Sequence, residues 1–351
     1  MSREADLTAW ANLAIAELTG MPPARVELES LSGDASFRRY FRARLPSASY
    51  IVVDAPPQTE DNVAFVRIAA ALRGAGVTTP LILAVDYQQG FMVQEDFGDT
   101  LYLQVLRQHR QDPQQVDWLY RQAIDTLVRL QKNVVTYGFP PYDREMLLRE
   151  MQLFPDWFCG RFLGLELSSS EQQLIAATQQ FLATAALAQP TVVVHRDYHS
   201  RNLMIPDPHR YSPELVPALI DFQDAVVGAY SYDLVSLLRD CYISWPLNTV
   251  RNLAGYYLQQ AGSQGIVTAI DEAAFFRDFD LMGLQRNLKV IGIFARLCIR
   301  DGKSQFLADI PQTIRYFTEV AAGYQELDEF LSWFRQRILP LADTRLAAAQ
   351  S

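Results

Sequence analysis

The sequence predicts an α+β protein with a small antiparallel-sheet lobe at its amino end and a large, mainly helical carboxyl lobe. Three observations predict it. The first 95 residues hold five short strand-like runs and two helical runs, one of them between the third and fourth strands. Beyond Glu95-Asp-Phe-Gly-Asp99 the apolar residues recur mostly at helical spacing. A length of 351 residues favours two lobes over one. The expected boundaries are 1–95 for the sheet lobe, 96–100 for the connection and 101–351 for the helical lobe.

The elements follow in order. Residues 6–18 read as a helix through Leu7, Trp10, Leu13, Ala14 and Leu18, and Gly20-Met-Pro-Pro23 stops it. Strand candidates are Val26–Leu31, Tyr40–Leu45 and Tyr50–Val53, the first two joined by the small polar turn Ser32 to Phe37. Asp61–Arg73 reads as a helix through Val63, Val66, Ile68, Ala69 and Leu72. Leu81–Val85 and Phe91–Gln94 are strands joined through Tyr87 to Gly90. Gln114–Lys132 is strongly helical through Val116, Leu119, Ala123, Leu127 and Leu130. Ser168-Ser-Ser-Glu171 can cap a helix running to Leu187. Short strands are expected at Val192–Val194, Leu203–Ile205 and Leu215–Ile220, with Pro206 to Pro208 and Ser212-Pro213 marking the hairpin between the last two. Helices then run to the end, with breaks near Gly262 to Gly265, Asp301-Gly302 and Gly323.

Composition narrows the function. Hydrophobic residues at 49% and charged residues at 20% suit a soluble globular protein. A net charge of −9 with a pI near 5.0 lacks the basic footprint of a nucleic-acid binder. Cys159, Cys241 and Cys298 are odd in number and widely spaced, which suits reduced thiols. His195 and His199 lie four apart, but the H-E-x-x-H zinc pattern is absent. The most apolar helix candidate, Leu281–Ile299, carries Arg286, Lys289 and Arg296 and is a poor membrane span. The N-terminus lacks a signal-peptide pattern. The expectation is a cytoplasmic monomer with neither a membrane nor a nucleic-acid partner.

The chemistry concentrates in His195-Arg-Asp-Tyr-His-Ser-Arg-Asn202 and, nineteen residues later, Asp221-Phe222. Phosphoryl transfer from ATP needs a carboxylate near the attacking hydroxyl and oxygen ligands for magnesium. Asp197 suits the first task as catalytic base; Asn202 and Asp221 suit the second. An H-x-D-x4-N loop followed by D-F, each part after a strand-like run, is a kinase pattern. His195 is expected to hold the loop backbone, and Asp233 to brace the loop as a buried carboxylate. Gln223 stands where protein kinases carry the glycine of D-F-G, which argues against a flip of that segment.

His195, Asp197, His199 and Asn202 form H-x-D-x-H-x-x-N, so the chain resembles the aminoglycoside phosphotransferase-like kinases, small-molecule relatives of the protein kinases. The resemblance covers nearly the whole chain and implies a bilobal protein-kinase-like fold that uses ATP and Mg2+. A narrower likeness rests on Ser32-Gly-Asp-Ala-Ser-Phe-Arg-Arg-Tyr40, Asp54-Ala-Pro-Pro57, Pro141-Tyr-Asp143 and Phe294 to Lys303. These segments resemble the branch of bacterial kinases that phosphorylate N-acetylmuramate and N-acetylglucosamine at the anomeric hydroxyl during peptidoglycan recycling. It implies a small-molecule sugar as the substrate. Kinases for another small hydroxyl compound, and a nucleotide-binding pseudokinase scaffold, are the alternatives.

The remaining roles follow from position. Ser32, Gly33, Asp34, Ala35 and Ser36 occupy the place of the glycine-rich phosphate loop, where small side chains let backbone N–H groups approach phosphate. By strand alternation Arg38 and Arg42 lie on one side and Arg39 on the other. Arg38 is the candidate phosphate contact, and the other arginines are expected in solvent. Asp54 matches the position of the lysine in the kinase V-A-I-K strand, where an acid repels phosphate unless a cation intervenes. Gln94, Glu95 and Phe97 fall at the hinge, with backbone groups of Glu95 and Phe97 facing adenine. For the sugar, Glu150, Trp157 and Arg300 are candidates with Arg201. His199 serves either as loop scaffold or as a substrate contact.

Overall fold

The structure is a computed structural model and describes residues 2–20, 26–31, 37–209, 211 and 217–350. In chain order it opens with helix α1 (Arg3–Thr19), strands β1 (Leu28–Leu31), β2 (Arg39–Arg44) and β3 (Ser49–Asp54), helix α2 (Asn62–Gly74), and strands β4 (Ile82–Asp86) and β5 (Phe91–Glu95). Helices α3 (Tyr102–Gln108), α4 (Pro113–Asn133) and α5 (Arg144–Met151) follow, then a π-helix (Phe154–Phe162) and α6 (Ser169–Leu187). Four short strands come next: β6 (Thr191–Val194), β7 (Leu203–Met204), β8 (Ala218–Leu219) and β9 (Val226–Ala229). The chain ends in α7 (Tyr232–Leu238), α8 (Leu247–Ser263), α9 (Glu272–Asp301), α10 (Ile310–Ala321), α11 (Asp328–Trp333) and α12 (Leu339–Gln350).

These elements form two compact units: Met1–Val105 with Asn202–Asp224, and Leu106–Arg201 with Ala225–Ser351. The first unit thus takes in a returning segment that a linear reading assigns to the helical lobe.

In the first unit an antiparallel sheet runs β1-β2-β3-β5-β4. Alternation along its strands gives it two faces. Phe41, Ala43, Val52, Phe91 and Val93 pack beneath Leu7, Ala11, Ala14 and Ile15 of α1. Helix α1 starts at Ser2, whose hydroxyl accepts the Ala5 N–H, and stops at Gly20 at φ 65°. A smaller core of Phe97, Met204 and Ala218, with Leu101, Tyr211 and Ile220 against it, ties the segment after β5 to the β7–β8 pair.

The second unit is built on long amphipathic helices. Asp112 caps α4 with Pro113 in its first turn, and a full capping box from Ser168 and Glu171 opens α6. Helix α9 spans 30 residues from the Asp271 cap to Gly302, and most of its centre is buried. A Cβ on Gly292 would come within 2.4 Å of the Leu153 backbone, so glycine lets α9 approach the π-helix. Strand β9, which the strand reading missed, pairs antiparallel with β6. It is four apolar residues long, too short to show alternation. Residues 212–216, which take in Ser212-Pro213 of the expected hairpin and the first two residues of the expected strand Leu215–Ile220, lie outside the described residues; the described part of the strand pairs only as Ala218–Leu219. No helix among the described residues is long and apolar enough to cross a membrane.

Candidate active site

In the helical unit, β6 delivers the chain into the loop that carries Asp197. The loop turns at Arg196, which takes φ 76°, a backbone strain that the surroundings must hold. The Asp233 carboxylate on α7 accepts the N–H of His195 at 2.7 Å and of Arg196 at 3.0 Å. This is the bracing role expected of Asp233. Burial pushes its carboxyl up to about 7, with the charge of Asp197 adding to the rise against those two hydrogen bonds. Asp197 itself is half-buried. Burial raises it too, but Lys289, with Arg286 and Arg196, outweighs burial and holds it at about 2. Asp197 therefore stays ionised at neutral pH. The Tyr198 hydroxyl donates to the Ala123 carbonyl at 2.8 Å, and the Ser200 N–H to Asp240 at 3.0 Å, so the loop is fixed on both sides.

Beside Asp197 lies a buried ionic cluster. Glu150 accepts hydrogen bonds from the Tyr142 hydroxyl and the Arg196 guanidinium, and Lys289 Nζ lies 3.2 Å from the same carboxylate. Lys289 also donates to the Tyr232 hydroxyl at 2.9 Å. Glu150, expected to face a sugar, pairs here with Tyr142, Arg196 and Lys289. His199 is buried with its ring edge-on to Tyr242 at 5.2 Å, and burial holds it below the ordinary imidazole range, hence neutral. Arg201 lies over the same Tyr242 ring at 4.8 Å. Arg161 covers Trp157 at 4.1 Å, and Arg300 bonds its neighbour Asp301 at 2.7 Å. Neither of those contacts involves a residue of the Asp197 cluster.

In the sheet unit, Asn202 and Asp221 come together: the Asn202 amide lies 3.3 Å from the Asp221 carboxylate, and the Gln223 amide donates to it at 2.8 Å. Asp221 takes φ 63°, a left-handed conformation that aspartate tolerates better than most residues. Gln223, in the place of a glycine, so orients the carboxylate. An amide oxygen and a carboxylate fit magnesium, which takes few protein ligands and completes its shell with water and phosphate. Among the described residues no group of three or more His, Cys, Asp or Glu side chains could hold a metal alone.

The acidic residue in the lysine strand resolves differently from the sequence expectation. Asp54 is fully buried, but its carboxylate meets Arg3 of α1 at 2.6 Å and Arg39 at 2.5 Å. It belongs to the sheet face under α1, and the opposite face carries Tyr40, Arg42 and Val53. Arg42, expected in solvent, is buried and paired with Asp96 and Asp99, both at 2.8 Å. Arg38 is buried as well, 3.0 Å from Glu60. The candidate phosphate loop Ser32, Gly33, Asp34, Ala35 and Ser36 lies outside the described residues.

Residues 27–276 match the model of the phosphotransferase enzyme family, APH. The chain belongs to that family. A relative in Pseudomonas aeruginosa, named N-acetylmuramate/N-acetylglucosamine kinase, is 42% identical over 334 residues, covering 93% of this chain and 95% of the relative. A relative of the same name in Neisseria meningitidis is 39% identical, covering 93% of each. Among solved structures, a putative aminoglycoside phosphotransferase from Ralstonia eutropha aligns over 97% of this chain and 98% of its own, with TM-score 0.57 and 16% identity. Choline kinase from Streptococcus pneumoniae aligns over 90% and 99%, with TM-score 0.58 and 14% identity. These structures share the bilobal kinase-like fold.

As a member of this phosphotransferase family, the chain is a kinase that takes a hydroxyl acceptor. In the segment expected to form the hinge, the Glu95 N–H donates to the Leu81 carbonyl at 3.0 Å and the Asp207 N–H donates to the Phe97 carbonyl at 3.2 Å. Gln94 is buried beside them. Two residues that matter here escaped the sequence reading as site residues: Arg286 and Lys289, both buried on α9. Their signal was present, as two cations three apart in the most apolar helical run, one face of one helix.

Proposed function

We propose that the protein is an ATP- and Mg2+-dependent sugar kinase that phosphorylates N-acetylmuramate and N-acetylglucosamine at the anomeric hydroxyl, yielding the α-1-phosphate in peptidoglycan recycling. The observation that carries this reading is the 42% identity over 334 residues to a relative named for those two sugars, on a chain that retains Asp197, Asn202 and Asp221. Asp197 orients the hydroxyl and accepts its proton as the bond to phosphorus forms. Asn202 and Asp221 hold magnesium, which neutralises charge on the ATP phosphates. Ser32 to Ser36 with Arg38 contact the phosphates; Gln94 supports the hinge, where backbone groups of Glu95 and Phe97 recognise adenine. His199, Arg201, Trp157 and Arg300 are the proposed sugar contacts, with Glu150 positioning the cations beside Asp197.

The charge around Asp197 supports an anionic or neutral acceptor over a polycation. Lys289, Arg286 and Arg196 all act on that carboxylate. An aminoglycoside brings several positive charges and would be repelled there. Phosphorus NMR on the protein with ATP, magnesium and a panel of N-acetylmuramate, N-acetylglucosamine, glucose and an aminoglycoside tests the reading. A new anomeric phosphate on the N-acetyl sugars supports it. Transfer only to another acceptor rejects it.

A further inference from the structure

Kinases of this fold use a strand lysine, paired to a helix glutamate, against the ATP phosphates. This chain has no lysine in β3, and its Asp54 faces α1. Pleat alternation then puts Val53 on the opposite face, opposite Tyr40 in the β2–β3 register. No side chain of β3 brings a cation to that face.

A cation reaches it from one strand earlier. Arg38 precedes β2 and is 2% exposed, so its charge requires a nearby anion. Glu60, just before α2, supplies one at 3.0 Å. The guanidinium lies 4.3 Å from the centre of the Phe65 ring on α2. Phe65 in turn stacks on Phe222 at 4.9 Å, and Phe222 adjoins Asp221. Glu60, Arg38, Phe65 and Phe222 thus form one packed series ending at the candidate metal ligand. Tyr40 reports the same proximity: burial first, then Arg38 in opposition and Asp221 in support, set its phenol at about 12. Arg38 also stands two residues after the candidate phosphate loop.

We propose that Arg38, held by Glu60, is the phosphate-binding cation of this kinase, a lysine–glutamate pair rebuilt as an arginine–glutamate pair from the residues just before β2 and just before α2. The proposal rests on the kinase reading but not on the identity of the sugar. Arginine suits the task because its planar fork can meet two phosphate oxygens while Glu60 holds another edge. Glu60 positions the guanidinium and does not touch nucleotide. Phe65 sets its plane by stacking.

The test is calorimetric titration of Mg-ATP and, separately, adenosine, with no acceptor present, into the wild type and the Arg38→Met, Arg38→Lys and Glu60→Gln variants. Arg38→Met is expected to weaken Mg-ATP binding at least about tenfold while adenosine binding holds, since a charged contact is worth about one decade or more. Arg38→Lys should recover part of the loss, and Glu60→Gln should give a smaller one. Unchanged Mg-ATP affinity in Arg38→Met overturns the proposal. So does a parallel loss for ATP and adenosine, which marks a structural role only. If circular dichroism shows Arg38→Met unfolded, the Arg38→Met/Glu60→Gln pair removes both buried charges and is read by the same two criteria. Because no sugar is present, failure of the sugar assignment leaves these readings intact.

Discussion

Asp233 Oδ2 accepts the backbone N–H of His195 at 2.7 Å, so a carboxylate on α7 holds the entry to the loop that carries Asp197. Its other oxygen takes the Arg196 N–H at 3.0 Å, at the residue with φ 76°. One side chain therefore restrains a strained turn immediately before Asp197.

Asp233→Asn keeps the shape but replaces one acceptor with a donor. Turnover should fall by about 100-fold, the scale expected of a misplaced catalytic group. The pH dependence has a definite sign. The folded value of about 7 lies above the ordinary 3.8, so the folded protein binds a proton that the unfolded chain releases. That contribution is fully present below 3.8 and is lost as pH rises through about 7. Melting temperatures of wild type and variant should therefore converge, or cross, between pH 5 and 7.5. A gap that stays constant over that range would show that Asp233 does not titrate there.

Asp197→Asn should lose about 10³-fold or more in turnover while the fold is kept and nucleotide affinity stays near wild type, since the base is removed. Asp221→Ala should abolish the magnesium dependence of the residual rate. Steady-state assays across a magnesium series check both, and undiminished turnover in Asp221→Ala would reject the metal assignment.

Lys289→Met removes the cation that does most to hold Asp197 low. Losing one neighbouring charge moves a carboxylate by about 1–3 pH units. The acid limb of kcat/KM should accordingly move upward in the variant, and Lys289→Arg should restore it. A pH–rate profile with an unmoved acid limb would place Lys289 outside the catalytic cluster. The same variant should lower stability, because Glu150 loses a partner inside the protein.

Asp54→Ala should cost about 1–2 kcal/mol, because the arginines it leaves behind are well exposed and can turn to solvent. Nucleotide affinity should hold, because the side chain faces α1 and not the face of Arg38. Chemical denaturation and nucleotide titration separate the two effects. A tenfold loss of Mg-ATP affinity without loss of stability would put Asp54 at the phosphates instead.

The order of strands and helices and the residues of the Asp197 loop were legible in the sequence, because periodicity and a short contiguous pattern are local properties. Helices α1, α2, α4 and α6 begin or end within a few residues of expectation, since caps such as Ser168 and Asp112 act on their own backbone. Side-chain commitments between distant elements were decided by tertiary structure alone. Glu150 reads as a ligand for sugar hydroxyls until Tyr142, Arg196 and Lys289 are seen to occupy it. Asp54 reads as a defect in the phosphate site until the pleat turns it towards Arg3, 51 residues away. Arg286 and Lys289 read only as obstacles to a membrane span until α9 brings them to Asp197. A charge discloses its function through its partner, and partners dozens to hundreds of positions apart are chosen by packing, which no local pattern encodes.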